Sequence, residues 1–239
     1  ITVLGLERSP GPTPRKARLK WVIPIMGGVL LWLTGLSLLS LQGVFANFEA
    51  LPPRPMFTVV ACMGLIGFLA FSGRFSRYLM TIPPSWLIAP QVFRIVVEIV
   101  LWQLFLHGFG PEQMTFEGLN FDIIAGITAP IAAYAAFGQG RTRYNLALIW
   151  NFLSLGLLIN ILTIAVLSLP QVGSFEESNT FISYFPYILL PGFVAPYAFF
   201  LHVISIKQLL KLRKAERRKT NRIGQDNQAS AAHQAPSAQ

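Results

Sequence analysis

Charge is what this sequence has least of. Of its 239 residues only 12% are Asp, Glu, Lys or Arg, against 53% hydrophobic, whereas an ordinary soluble domain is about a quarter charged. Too little polar surface remains to cover a water-soluble core. The single cysteine, Cys62, excludes an intrachain disulfide and a cysteine-based metal site. Alternating ten-residue segments of the kind that build membrane β-barrels are missing. So are a phosphate-cradling glycine loop, a nucleophile elbow and any HExxH zinc pattern. Without a Walker sequence the chain itself has no means of ATP-driven transport. Nothing interleaves basic and aromatic residues as nucleic-acid readers do, so the formal charge of +9 needs another origin.

What is present is a series of long apolar runs. Runs of about 18 or more apolar residues read as membrane-spanning helices, because only a helix satisfies its own backbone in hydrocarbon. Six such runs fall at about 21–41, 57–72, 85–108, 119–137, 146–169 and 181–206. The expected fold is therefore all-α, a polytopic transmembrane bundle of six helices over 21–206. A basic segment, 1–20, precedes it and a tail, 207–239, follows, basic at first and then low-complexity. Pro10, Pro12 and Pro14 oppose regular structure in the first segment, and the last fifteen residues are expected to be disordered.

Loop charges orient the bundle. The ends and alternate loops carry Arg8, Arg15, Lys16, Arg18 and Lys20, then Arg74 and Arg77, then Arg141 and Arg143, then the cations from Lys207 to Arg222. The other loops carry Glu49, Glu112, Glu117, Glu176 and Glu177. In all, 17 of the 19 Lys and Arg fall on one side, with Arg54 and Arg94 the exceptions. Positive loops stay cytoplasmic, so both termini are expected there. The basic tail could also meet anionic lipid headgroups. A basic start, an apolar stretch and Val44-Phe45-Ala46 resemble a cleaved leader. The apolar stretch of about twenty residues exceeds a signal core of about seven to fifteen, so a retained helix is expected.

Small residues mark packing faces. Ala125, Ala129, Ala133 and Ala136, with Gly126, let the fourth helix approach a neighbour closely; Gly28 and Gly35, and Gly64 and Gly67, could serve the first two helices likewise. Pro186, Pro191 and Pro196 interrupt the sixth and free backbone carbonyls.

Two groups of polar residues could carry chemistry. Gln91, Arg94 and Glu98 are spaced three and four apart, so they share one face of the third helix. Glu98 falls near mid-membrane, where an ionisable group costs about 2.5–3.5 kcal/mol on insertion scales. In one reading Arg94 and Glu98 pair with each other and Gln91 assists. In the other, Glu98 is a proton or cation site tuned by Arg94. The second group, His107, Glu112, Glu117 and Asp122, lies at the outer end. Imidazole and carboxylates can bind a divalent metal, but the spacing matches no metal motif. Asn120 or Asp122 also suits a helix N-cap. No cofactor is implied. His107 and His202 belong at opposite ends for a haem, His233 is in the tail, and no lysine sits mid-membrane for a retinal. Asn151, Ser154 and Asn160 are candidates for interhelical hydrogen bonds.

From Pro83 to Pro130 the chain carries Pro83, Trp86, Leu87, Ile88, Gln91, Arg94, Pro111, Gly118, Asp122, Ile123, Gly126, Ala129 and Pro130. In this stretch, about a fifth of the chain, it resembles uncharacterised bacterial multi-pass membrane proteins. The resemblance implies a bacterial inner-membrane protein and brings no activity. It draws Gln91, Arg94 and Asp122 together as partners between the third and fourth helices, although the expected spans put Arg94 deeper than Asp122. The leading functional expectation is passage or binding of a small solute or ion at Arg94 and Glu98. The alternatives are an intramembrane enzyme using Glu98, His107 or the outer carboxylates, and a non-catalytic partner or assembly protein.

Overall fold

The computed structural model describes residues 15–50, 52–73 and 80–234. Residues 1–14, the loop cations Arg74 and Arg77, and the last five residues lie outside the described residues. The described residues are helical and loop, with no strand. Six long helices follow one another: α1 (Arg15–Leu41), α2 (Arg54–Phe71), α3 (Ser85–Leu106), α4 (Ile123–Phe137), α5 (Tyr144–Leu167) and α6 (Ala195–Gln234). Four spans are long and apolar enough to cross a membrane: Ser85–Leu106, Ile123–Gly140, Tyr144–Leu167 and Leu190–Gln225. Shorter apolar stretches cover Met26–Leu41 and Arg54–Phe68.

Packing sorts the loops into two ends. At one, Ile88, Ala136, Ala147 and Leu209 form a buried cluster, and Lys207 Nζ donates to the Ala70 carbonyl. At the other, Leu104, Met114, Leu169 and Phe181 cluster, with Phe48 and Met56 against them, and Gln171 Nε2 donates to the Phe48 carbonyl. Helices that leave one cluster enter the other.

The small residues of α4 do what their spacing suggests. Ala125, Gly126, Ala129, Ala133 and Ala136 are buried, and a Cβ on Gly126 would stand 2.8 Å from Ile95 Cγ1 and 2.9 Å from the Ile95 nitrogen. The glycines of α1 and α2 differ: Gly28, Gly35, Gly64 and Gly67 have no atom within 4 Å of where a Cβ would be. They make no close helix contact, because those two helices dock through larger groups.

Two expected spans and the tail are corrected. The fourth begins at Ile123 rather than 119 and is the shortest of the four spans, with 15 α-helical residues that rise about 22 Å. Residues 107–122 make up the depth by folding back into the bundle, where Met114, Thr115 and Asn120 are buried. The sixth does not start at 181. A 3-10 turn (Thr180–Ser183) and irregular chain lead into a π-helical turn (Leu190–Val194) before α6. Pro196 has no N–H to give the carbonyl four residues back, at Gly192. Trp32 Nε1 (2.9 Å) and Cys62 Sγ (3.2 Å) donate to it instead, which ties α1 and α2 to the start of α6. The tail, expected to be disordered from 225, continues α6 as helix to Gln234, since no proline intervenes before Pro236.

Gly126→Val is expected to destabilise by about 1–3 kcal/mol through overpacking against α3, read as a lower thermal midpoint in detergent. Gly156→Ala, with open space around it, should leave the midpoint unchanged or raised. Equal losses in the two variants would contradict this packing.

Candidate functional site

The level at which polar side chains meet follows from helix length. Arg94 stands 12 residues before the end of α3, and Ser154 13 residues before the end of α5. His202 stands 12 residues after Leu190. At 1.5 Å per residue all three lie about 18–20 Å from the same end of the bundle. The short α4 brings its own start to this depth, so Asp122 arrives beside Arg94.

The Arg94 guanidinium is 1% exposed and its donors are taken. Nε donates to Asp122 Oδ2 at 2.5 Å, and Nη2 reaches Asp122 Oδ1. Nη1 donates to Ser154 Oγ at 2.7 Å, and the Ser154 carbonyl accepts from Nη2 at 3.4 Å. Nη1 also meets His202 Nε2 at 3.3 Å. Because a guanidinium only donates, Nε2 is the accepting nitrogen of His202. The ring proton is therefore on Nδ1, which donates to Asn151 Oδ1 at 3.1 Å. Asn151 Nδ2 in turn donates to the Ala147 carbonyl at 2.8 Å. One cation thus gathers α3, the start of α4, α5 and α6.

Glu98 is held differently. Both carboxylate oxygens accept from Asn120 Nδ2, at 2.8 and 2.7 Å. That nitrogen also reaches the Met114 carbonyl at 2.9 Å, while Asn120 Oδ1 accepts the Asp122 N–H at 3.0 Å. Asn120 therefore fastens the in-folded segment and holds the carboxylate, while Asp122, at the N-cap position, makes no side-chain cap and goes to Arg94. Glu98 has no ion-pair partner among the described residues, so the expected Arg94–Glu98 pair does not form. With Arg94 and Asp122 paired, the site has one carboxylate without a cation. Gln91 Nε2 donates to the Ala198 carbonyl at 3.3 Å, and its buried Oε1 has no partner.

A cavity of about 100 Å³ lies between α3, α5 and the start of α6. Its walls are apolar, with Val97, Leu101, Leu158, Ile161 and Val194 among them, and Arg94, Glu98 and Asp122 reach it. Such a space admits about three water molecules or a small solute. Ser154 Oγ, 3.3 Å from His202 Nε2, has the outline of a nucleophile with its base, and Asn151 orients the ring. Neither Ser154 nor His202 lines the cavity, and Arg94 occupies the lone pair a base would need, so this chain of contacts positions Arg94.

The outer group comes apart. His107, Glu112 and Glu117 are exposed, with His107 Nδ1 2.8 Å from its own helix carbonyl at Gln103, while Asp122 is buried with Arg94. No three His, Cys, Asp or Glu among the described residues are placed to hold a metal. Of the remaining candidates, Asn160 Nδ2 donates to the Leu119 carbonyl at 2.8 Å. His202 was not singled out as a site residue by the sequence, and Asn120 only as an outer polar residue suited to a helix cap. A helix start at Leu190 rather than 181 is what moves His202 to mid-depth.

Fold and site define an all-helical protein with four helices long and apolar enough to cross a membrane and a buried polar network at mid-depth. Residues 53–210, about two thirds of the chain, match the family described as a domain of unknown function, DUF8737. The chain belongs to that family, and all the residues of the network fall within the match. No curated protein and no solved structure matches the chain.

Asn120→Ala is expected to cost about 3 kcal/mol, since it strips donors and an acceptor from three buried groups. His107→Ala and Glu117→Gln, on exposed side chains, should each change stability by less than about 0.5 kcal/mol. Thermal unfolding in detergent checks this; a loss at Glu117 equal to that at Asn120 would restore the outer group as a structural unit.

Proposed function

We propose that this protein crosses a bacterial inner membrane six times, with both termini at the cytoplasmic face, and binds a small positively charged solute or ion at Glu98. Six crossings are supported by α1 and α2, which are apolar: α2 runs between the same two ends of the bundle as the four longer spans, and α1 finishes at the end where α2 begins. The orientation is supported by charge: Arg141, Arg143 and the cations after Lys207 gather at the end opposite Glu112, Glu117, Glu176 and Glu177. The bacterial setting rests on the resemblance of the 83–130 stretch.

One observation carries the binding reading. Glu98 is 1% exposed, lines the cavity and accepts from an amide without a salt bridge among the described residues, while Arg94, on the same cavity, is engaged by Asp122. A buried carboxylate is expensive unless a positive charge or a proton meets it. The apolar walls set the size of what enters; the carboxylate sets its sign. A proton, a monovalent metal ion or a small ammonium group satisfies both.

In proteoliposomes, flux of protons or Na⁺ should fall at least about tenfold in Glu98→Gln, a rise of roughly 1.4 kcal/mol in the barrier. The apolar reagent dicyclohexylcarbodiimide should modify Glu98 and spare Asp122, which Arg94 engages. Flux identical in wild type and variant, together with an unmodified Glu98, would overturn the proposal.

A further inference from the structure

A second cavity, of about 400 Å³, lies far from Glu98, between the loop that opens α5 and the part of α6 that continues beyond the bundle. Arg143, Tyr144 and Asn145 line it on one side, and Arg213, Glu216 and Arg217 on the other. Positions 213, 216 and 217 follow Leu209 at four, seven and eight residues, so they extend the same face of α6. Leu209 is fully buried against Ala136 and Ala147, which fixes that face toward the start of α5.

Three guanidinium groups and one carboxylate thus converge. None of the three has an ion-pair partner among the described residues, and the buried Nε of Arg213 lacks a hydrogen-bond partner. The start of α5 adds to the field. Its first turn has no acidic residue and no side-chain cap, so the free N–H groups and the positive end of a 24-residue helix face the same space. Converging like charges repel unless an anion lies between them, and arginine forks match the oxygens of phosphate.

We propose that this cavity binds a phosphate group, supplied by an anionic lipid headgroup at the basic end of the bundle. The lipid source rests on the membrane reading above. The phosphate chemistry does not, because a free phosphate would meet the same donors. The pocket lies one turn beyond the buried Leu209, where the chain leaves the apolar cluster and headgroup phosphates would lie. A lipid held there would clamp the α4–α5 loop to α6.

The test uses the full chain in an uncharged detergent, with binding read by native mass spectrometry and by the thermal midpoint. Phosphatidylglycerol, phosphatidylcholine and inorganic phosphate are the probes. Phosphatidylglycerol should bind and raise the midpoint while phosphatidylcholine does not. Arg213→Gln, Arg217→Gln and Arg143→Gln should each weaken binding about fivefold. Lys219→Gln with Arg222→Gln removes two charges from the same helix outside the cavity, and should leave binding unchanged. A response to inorganic phosphate that the arginine variants abolish would support the site with a soluble ligand. Equal losses in the control and arginine variants, or no response to phosphatidylglycerol or to inorganic phosphate, the two probes with net negative charge, would overturn it. Wild-type flux through Glu98 is a separate readout, so failure of one proposal does not mimic failure of the other.

Discussion

A guanidinium buried at mid-depth in a helical bundle must have its charge and its five donors answered by protein, because burial removes it from water. Arg94 sets that requirement here, and the elements around it are arranged to meet it. Asp122 supplies two carboxylate oxygens, Ser154 a hydroxyl and a carbonyl, and His202 a lone pair. These come from three different parts of the chain. Removing one member of such a group leaves a buried charge unpaired, at about 3–5 kcal/mol, so the network also couples the packing of the helices that carry it.

That requirement explains the irregular backbone. A fourth helix of full length would put Asp122 at the outer end of the bundle, out of reach of Arg94. A short α4 brings it to depth but obliges residues 107–122 to fill the remaining space without helical hydrogen bonds. Non-helical chain at such depth survives only when buried in protein. Side-chain amides do this work. Asn120 serves the Met114 carbonyl and the Asp122 N–H, Asn160 the Leu119 carbonyl, and Asn179, under the start of α6, the Ala165 carbonyl. At the π-helical turn, Trp32 and Cys62 play the same part for Gly192. The same short α4 commits Arg94 to Asp122 and leaves Glu98 with Asn120 on the cavity wall, outside any salt bridge among the described residues, which is the feature the proposed binding uses.

Much of this was legible in the sequence, and what was not has a physical cause. Apolar runs located the helices because hydropathy needs no tertiary information. The alanine stripe of α4 was legible because spacing alone puts small residues on one face. The resemblance over 83–130 drew Gln91, Arg94 and Asp122 together even though the expected spans opposed the contact; Arg94 and Asp122 meet, while Gln91 turns to the Ala198 carbonyl. The opposition came from assuming that each helix runs the full width of a bilayer, an assumption that α4 and α6 both break. It hid His202 as well, which a helix starting at 181 puts near the far end. Of the side-chain amides that secure the in-folded segments, Asn160 was legible as a polar group on an apolar helix and Asn120 only as a cap, while Asn179 carried no signal, since a loop asparagine reads as solvated until the chain is known to turn inward.

The most direct test of the account is a double-mutant cycle on unfolding in detergent, built from Arg94→Gln, Asp122→Asn and the two together, beside the same cycle with Glu98→Gln. The account predicts large losses for Arg94→Gln and Asp122→Asn, with the double variant regaining much of them. It also predicts a clearly smaller coupling between Arg94 and Glu98. Additive losses for Arg94 and Asp122, or stronger coupling of Arg94 to Glu98, would contradict the claim that one buried ion pair organises the bundle.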